Sequence, residues 1–359
     1  MTNQIRVLVV GLGNMGMAHA LAYHHDLDFE IVGLCARNIK AIQMPCAALE
    51  NYPHFNNYET ALKETEPDAV CISTWPDTHA AFAHMAFKAG AHVFLEKPIA
   101  PTVDESKQVI AAARTANKKL VVGYILRHHP SWTAFVKQAK KLGKPLVMRM
   151  NLNQQSVGDT WRVHKKLMES LPPIVDCGVH YVDVMCQMTN ANPISVHAIG
   201  VRLSNEIAEN MYNYGHLQVT FDDGSVGWYE VGWGPMMSET AFFIKDIIGP
   251  KGSVSIVAQE HAYETRSDNV DSHTKANALH VHYADVDERQ NFTVQDQIIT
   301  LSDEPDHNEL CAREQVYFAQ IIKQGLNLDD HWRYALNSLR IVLAADQSIR
   351  EGDVVRLRI

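Results

Sequence analysis

A chain of 359 residues exceeds the roughly 250–300 that one hydrophobic core supports, so two domains are expected. Its 46% apolar and 20% charged content is that of an ordinary globular protein. A formal charge of -9, no basic stripe and no apolar run near the roughly 18 residues of a membrane span argue against nucleic-acid and membrane partners.

The first 125 residues alternate short apolar strands with amphipathic helices. Strands are expected at Ile5–Val10, Phe29–Cys35, Ala69–Thr74, His92–Leu95 and Leu120–Tyr124. Helices are expected at Met15–His25, Tyr58–Thr65, Thr78–Ala89 and Val103–Ala116, with Gly90 as a C-cap. Strands that are apolar throughout and joined by helices imply a parallel sheet covered on both faces. After Gly123 the character changes. A helix over Ser131–Leu142 precedes partly alternating strands at Leu146–Asn153, Ile194–Val201, His216–Phe221, Ser225–Val231, Phe242–Ile248 and Ser253–Val257. Asp222-Asp223-Gly224-Ser225 is a hairpin signal. Helices are expected at Ile174–Met188, Glu309–Lys323 and Trp332–Arg350, whereas 260–289 carries no clear period.

The expected architecture is an α/β Rossmann dinucleotide-binding domain over 1–125 and an α+β domain over 126–359. The latter has a large, mostly antiparallel, open-faced sheet, and its last helix packs back on the first domain. A wide exposed sheet face is an association surface, so a homodimer or homotetramer is expected through it. The six cysteines form no CxxC pair and sit mostly in apolar runs, which fits buried free thiols in a reducing cytoplasm. The start, Met1 to Arg6, runs straight into a strand and leaves no room for a signal peptide. Among 19 histidines there is no HExxH, and the pairs His24-His25 and His128-His129 are adjacent, so no metal is expected.

The motif that carries chemistry is Gly11-x-Gly13-x-x-Gly16, which lies between the first strand and the first helix. Gly11 permits a tight turn, Gly13 lets the backbone approach a pyrophosphate, and Gly16 lets helix and strand pack closely. The helix start, Asn14 and Met15, offers unpaired N–H groups and a positive dipole end to phosphate. The acidic residue that holds an adenosine ribose normally ends the second strand, but here that place is Ala36, followed by Arg37. Arg37 can pair with a 2′-phosphate, so NADP(H) is favoured over NAD(H); stacking on adenine is the other reading of this arginine.

Two further motifs bear on catalysis. Glu96-Lys97-Pro98 follows a strand whose carboxyl end faces the ligand crevice. Asp176, His180 and Asp183 fall at i, i+4 and i+7, one face of a helix, so that carboxylates flank an imidazole. Together with Ser73-Thr74 to His79, Val122-Gly123-Tyr124-x-x-Arg127-x-x-Pro130, Trp161-Arg162 and Gly249-x-x-Gly252, these resemble the glucose–fructose oxidoreductase / inositol dehydrogenase (Gfo/Idh/MocA) family over nearly the whole chain.

The resemblance implies a nicotinamide-dependent dehydrogenase or reductase acting on the CH–OH group of a sugar or polyol. It implies that Lys97 hydrogen-bonds the reacting oxygen and the cofactor, that His180 moves the hydroxyl proton, and that Asp176 orients substrate and imidazole. It places Thr74, Trp75, Pro76, His79 and Glu96 with the glycines at the cofactor, and Tyr124, Arg127, Trp161 and Arg162 around the substrate. A histidine of ordinary pKa about 6.5 suits the proton transfer that hydride departure demands. Two other functions are compatible: an NAD-dependent glycosidase that retains its cofactor, and a non-catalytic NADP(H)-binding regulator. Leu171-Pro172-Pro173-Ile174 departs from the family's glycine-rich turn and leaves the substrate unnamed.

Overall fold

The computed structural model describes residues 4–44, 46–238, 244–257, 276 and 278–357. They form two compact units, the first from the described residues up to His128 with Asp306–Leu336, the second from His129–Pro305 and the remainder of the chain.

The first unit runs β1 (Ile5–Val10), α1 (Asn14–His25), β2 (Phe29–Cys35), α2 (Ala47–Glu50), β3 (His54–Phe55), α3 (Tyr58–Thr65), β4 (Ala69–Ile72), α4 (Pro76–Lys88), β5 (His92–Glu96), α5 (Val103–Thr115) and β6 (Leu120–Gly123). The strands pair in parallel in the order β3-β2-β1-β4-β5-β6. Their side chains are apolar at nearly every position because both faces are covered; Val7, Leu8, Val70, Ile72 and Phe94 are wholly buried. Side chains set the helix starts. Asn57 Oδ1 accepts from the Thr60 N–H at 2.9 Å and Thr102 Oγ1 from the Glu105 N–H at 3.2 Å.

The second unit runs α6 (Pro130–Ala139), β7 (Val147–Gln155), α7 (Gly158–Leu167), α8 (Pro173–Asp176), α9 (Gly178–Thr189), β8 (Pro193–Val201), β9 (Tyr214–Phe221), β10 (Val226–Gly234), β11 (Lys245–Gly249), β12 (Gly252–Val257), β13 (Ala278–Tyr283) and β14 (Gln297–Thr300). The chain then returns to the first unit with α10 (His307–Gln324), which packs on α1. Its capping box has Asp306 Oδ1 accepting from the Glu309 N–H at 2.8 Å and Glu309 Oε2 accepting from the Asp306 N–H at 2.9 Å. Helix α11 (Asp329–Glu351) and β15 (Val355–Arg356) end the chain.

The second sheet is ordered β14-β13-β12-β11-β7-β10-β9-β8-β15, and only the central β7–β10 pair is parallel. One face is apolar and buried (Met148, Met150, Val219, Ile247) under α6, α8 and α9. The other carries the cross-strand row Ile248–Val147–Val226, each about two-fifths exposed.

Three local differences from the sequence expectations have physical causes. The expected helix Ile174–Met188 is two, α8 and α9, that meet at Cys177; Gly178 lies so close to the sheet that a Cβ would stand 3.2 Å from the Tyr229 ring. Helix α7 is absent from the expectations because it is mostly polar in sequence; only Trp161 and His164 of its ten residues are buried. The segment 306–336 joins the first unit, whereas the sequence boundary had placed it with the second. Phe242, and 258–275 with 277 of the unassigned stretch, lie outside the described residues; β13 occupies part of the rest.

Candidate active site

The register of the first sheet brings its strand ends to one edge. Val10 is paired with both Cys35 and Ile72, Ile72 with Leu95, and Glu96 with Gly123. The residues that follow, Gly11, Ala36, Ser73 and Lys97, therefore emerge side by side. The order in which strands are added reverses between β1 and β4, the switch point where open α/β sheets leave a crevice at their carboxyl edge.

The glycines divide their work there. Gly11 has φ +88° and comes so near the neighbouring strand that a Cβ would stand 2.4 Å from Ser73 O. A Cβ on Gly16 would lie 1.8 Å from Gly11 O, so α1 can start here only with hydrogen at that position. Gly13 is different. It is the N-cap of α1, has ordinary φ -78°, makes no side-chain cap, and a Cβ on it would meet nothing within 4 Å. Open space thus lies beside Gly13 at the N-terminus of α1, which suits a pyrophosphate.

Around this edge, Ala36 is half-buried and Arg37 is exposed, with no hydrogen bond or ion pair among the described residues. Thr74 Oγ1 meets Thr78 Oγ1 at 2.6 Å, Trp75 is 53% exposed at the N-cap of α4, and Pro76 opens that helix. Lys97 is half-buried, and its peptide bond to Pro98 is cis. Glu96 is 7% exposed and turned inward, with His19 Nε2 at 2.7 Å from Oε1 and the Lys97 N–H at 3.2 Å from Oε2.

Two residues expected at ligands are interior instead. His79 is wholly buried; its Nδ1 lies 2.7 Å from Pro98 O and its Nε2 3.0 Å from Thr74 O. It braces two loops of the crevice rather than touching a ligand. Tyr124 is 1% exposed, and its hydroxyl donates to Ala335 O at 3.4 Å. Arg127 lies over the Tyr124 ring at 4.6 Å and donates to His331 O at 3.2 Å. Burial beside Arg127 pushes the neighbouring His128 imidazole down to about 3.

In the second unit, Asp176 and His180 are half-buried at the α8–α9 break. Cys177 Sγ lies 3.9 Å from both Asp176 Oδ2 and Gln154 Oε1, and the same Gln154 oxygen accepts from Trp233 Nε1 at 2.7 Å. Trp233 stacks flat on His164 at 4.2 Å and shares an apolar cluster with Trp161, Met168, Ile207 and Met211. Trp161 donates to Glu206 Oε1 at 3.2 Å. Asp183 is 1% exposed and accepts from Gln187 Nε2 at 2.9 Å, a core role. Arg162 is exposed and, among the described residues, pairs only locally, with Asp159 at 2.5 Å.

Sequence reasoning missed Gln154, Trp233 and Lys245. Lys245 is buried, and desolvation pulls its ammonium down to about 7. Its Nζ donates to Asn151 O at 2.8 Å and lies 5.3 Å over the Tyr181 ring.

Relatives place these features in context. A family model for the Gfo/Idh/MocA oxidoreductase family, NAD-binding Rossmann fold, matches residues 5–124, and one for the Gfo/Idh/MocA C-terminal domain matches 136–255. The UDP-N-acetylglucosamine 3-dehydrogenase of Acidithiobacillus ferrooxidans is 28% identical over 210 residues, 57% of this chain and 61% of that one. The inositol 2-dehydrogenase of Paracoccus denitrificans is 24% identical over 220 residues, 58% of this chain and 61% of that one. The chain thus spans about three-fifths of the length of both. The scyllo-inositol 2-dehydrogenase (NAD(+)) of Bacillus subtilis is 25% identical over 279 residues, covering 74% and 77%. Among solved structures, an oxidoreductase domain protein from Kribbella flavida superposes with TM-score 0.79 at 22% identity over 100% of both chains. The scyllo-inositol dehydrogenase from Lactobacillus casei, with bound NAD(H) and scyllo-inositol, gives 0.77 at 18% over 99% of both. At these identities the structural likeness speaks to the fold.

Proposed function

The chain belongs to the Gfo/Idh/MocA oxidoreductase family, and from that premise we propose that it is an NAD(P)-dependent oxidoreductase acting on a sugar, polyol or related hydroxy or keto compound. One observation carries the reading. The register of a six-stranded parallel sheet delivers the Gly11–Gly16 turn and Lys97 to the same edge, with open space before the α1 N-terminus.

The residues present fit a dinucleotide: Gly13, Asn14 and Met15 at the pyrophosphate, Ala36 and Arg37 at the adenosine ribose, Thr74, Trp75 and Pro76 toward the nicotinamide. When bound, that cofactor accepts or supplies the hydride. The chain's own task is to hold the alcohol and move one proton. In the oxidative direction His180 takes the hydroxyl proton, and in the reductive direction it returns it. Lys97 donates a hydrogen bond to the same oxygen and stabilises the alkoxide character that grows there. Asp176 accepts from substrate or imidazole and fixes their orientation. Gln154, Trp161, His164 and Trp233 are buried and brace the segment that carries Asp176, with Gln154 reaching Cys177 and Trp233.

Our proposal for the cofactor is NADP(H) before NAD(H). Its support is an exposed Arg37 and a small Ala36 where an acidic side chain would repel a 2′-phosphate. The exposed row Ile248–Val147–Val226 supports homo-oligomerisation through the second sheet. All six cysteines are free thiols, which fits the reducing cytoplasm.

The test is absorbance at about 340 nm with both cofactors against a panel of inositols, sugars, nucleotide sugars and keto-sugars. Stoichiometric formation or loss of reduced cofactor with one class is the expected result. Cofactor binding without turnover of any class refutes the enzyme reading.

A further inference from the structure

A hydrogen-bonded chain inside the first unit ends at the main chain of Lys97. It begins on α1, where the Tyr23 hydroxyl donates to Gln315 Oε1 on α10. The Gln315 amide oxygen takes that bond. The Gln315 Nε2 faces His19 Nδ1, at 2.9 Å, as a donor. A ring that accepts at Nδ1 carries its proton on Nε2, and His19 Nε2 lies 2.7 Å from Glu96 Oε1. The second Glu96 oxygen accepts the backbone N–H of Lys97 at 3.2 Å. Every member is enclosed: His19 and Gln315 are 0% exposed, Tyr23 1% and Glu96 7%.

The surroundings keep the carboxylate in place. The His19 ring packs edge-on against Phe94 with centroids 4.8 Å apart. On the neighbouring strand β6, a Cβ at Gly123 would stand 3.1 Å from Glu96 Oε1, so the side chain has little room to swing that way. His19, Cys311 and Glu314 also bring potential ligand atoms within 4.8 Å of one another, all buried. Both ring nitrogens of His19 are already committed, to Gln315 and to Glu96, so this cluster reads as the flank of the chain rather than as a metal centre.

We propose that His19, oriented by Gln315 and Tyr23, is a positioning residue that acts through Glu96 to hold the Lys97 main chain, and hence its amine, where the reaction needs it. The inference rests on the catalytic role given to Lys97 above. The physical reason is that a flexible lysine stem contributes to a transition state only if its root is fixed. A misplacement of about 1 Å at such a group costs on the order of 100-fold in rate. Buried polar networks deliver that rigidity when each member is satisfied.

Two substitutions of similar size separate the positioning role from mere packing. His19→Gln reaches with its amide to the place of Nε2 and keeps the bond to Glu96. His19→Asn reaches only to the place of Nδ1, keeps the bond to Gln315 and lets Glu96 go. The full-length protein is assayed with cofactor and its turned-over substrate, alongside thermal unfolding, cofactor titration and zinc content. The expected result is a kcat lowered about tenfold or more in His19→Asn, with cofactor affinity held, and restored to within about threefold in His19→Gln. Equal kcat in the two variants, or losses that follow unfolding temperature alone, overturns the proposal. One equivalent of tightly bound zinc in the purified protein, needed for activity, overturns it in favour of a metal centre. Lys97→Ala is the control. If that variant keeps full activity, the role of Lys97 itself fails; if it is inactive while His19→Asn is not, only the positioning chain fails.

Discussion

Replacing Gly13 and Gly16 one at a time by alanine separates folding from cofactor binding. At Gly16 the new methyl would sit 1.8 Å from Gly11 O and 2.8 Å from Gly11 C, both main-chain atoms that cannot rotate away. The turn must open by more than ~1 Å, an overpacking that costs about 1–3 kcal/mol or more. For a unit of this size that is a fall of roughly 2–4 °C per kcal/mol in melting temperature. At Gly13 the backbone has φ -78° and the methyl meets nothing within 4 Å, so only the small loss of a glycine N-cap, under ~1 kcal/mol, is expected. The same methyl projects into the space where the pyrophosphate is proposed to sit. A tenfold or greater rise in cofactor Kd, about 1.4 kcal/mol, should therefore accompany a nearly unchanged melting temperature. Differential scanning calorimetry and NADPH fluorescence titration read the two quantities separately. Wild-type cofactor affinity in Gly13→Ala, or wild-type stability in Gly16→Ala, refutes the assignment of these glycines.

Arg37→Ala should weaken NADP(H) far more than NAD(H), by about tenfold or more in Kd ratio; an equal effect on both cofactors contradicts phosphate reading by this side chain. Glu314 is 1% exposed, and burial, with Glu96 nearby, pushes its carboxyl well above the usual range. The folded chain thus keeps a proton that the unfolded chain sheds above about pH 4.3. Stability from this group is full below that pH and is lost as pH rises toward the folded value, by ~1 kcal/mol per pH unit. Glu314→Gln should flatten the decline of melting temperature as pH rises above about 4.3; parallel curves for the two proteins rule out a retained proton.

Most of the first unit was readable because its signals are local, although α2, β3 and the place of 306–336 were not. Ile5–Val10, Phe29–Cys35 and Tyr58–Thr65 fall where the apolar runs and turn residues put them. The Asp222–Ser225 turn likewise joins the antiparallel pair β9–β10. The second unit was legible in kind but not in detail. Helix α7 is mostly polar and buries only Trp161 and His164, and β14 is mostly exposed and shows no inward pattern. The site shows the same division. Gly11, Gly13, Gly16 and Lys97 lie at the strand ends that sequence motifs locate. Tyr124 and His79 turned out to be interior, because a motif gives position along the chain and not the direction of a side chain. The chain from Tyr23 to Lys97 joins residues up to 296 positions apart through α10, a juxtaposition that no short-range pattern encodes.

Measuring hydride transfer in a single turnover, with Lys97→Ala and His180→Ala beside the wild type, tests the reading most directly. Each variant should bind cofactor normally and react roughly 100-fold or more slowly, the scale of a lost general acid–base group. Wild-type rates in either would remove that residue from the chemistry and the proposed mechanism with it.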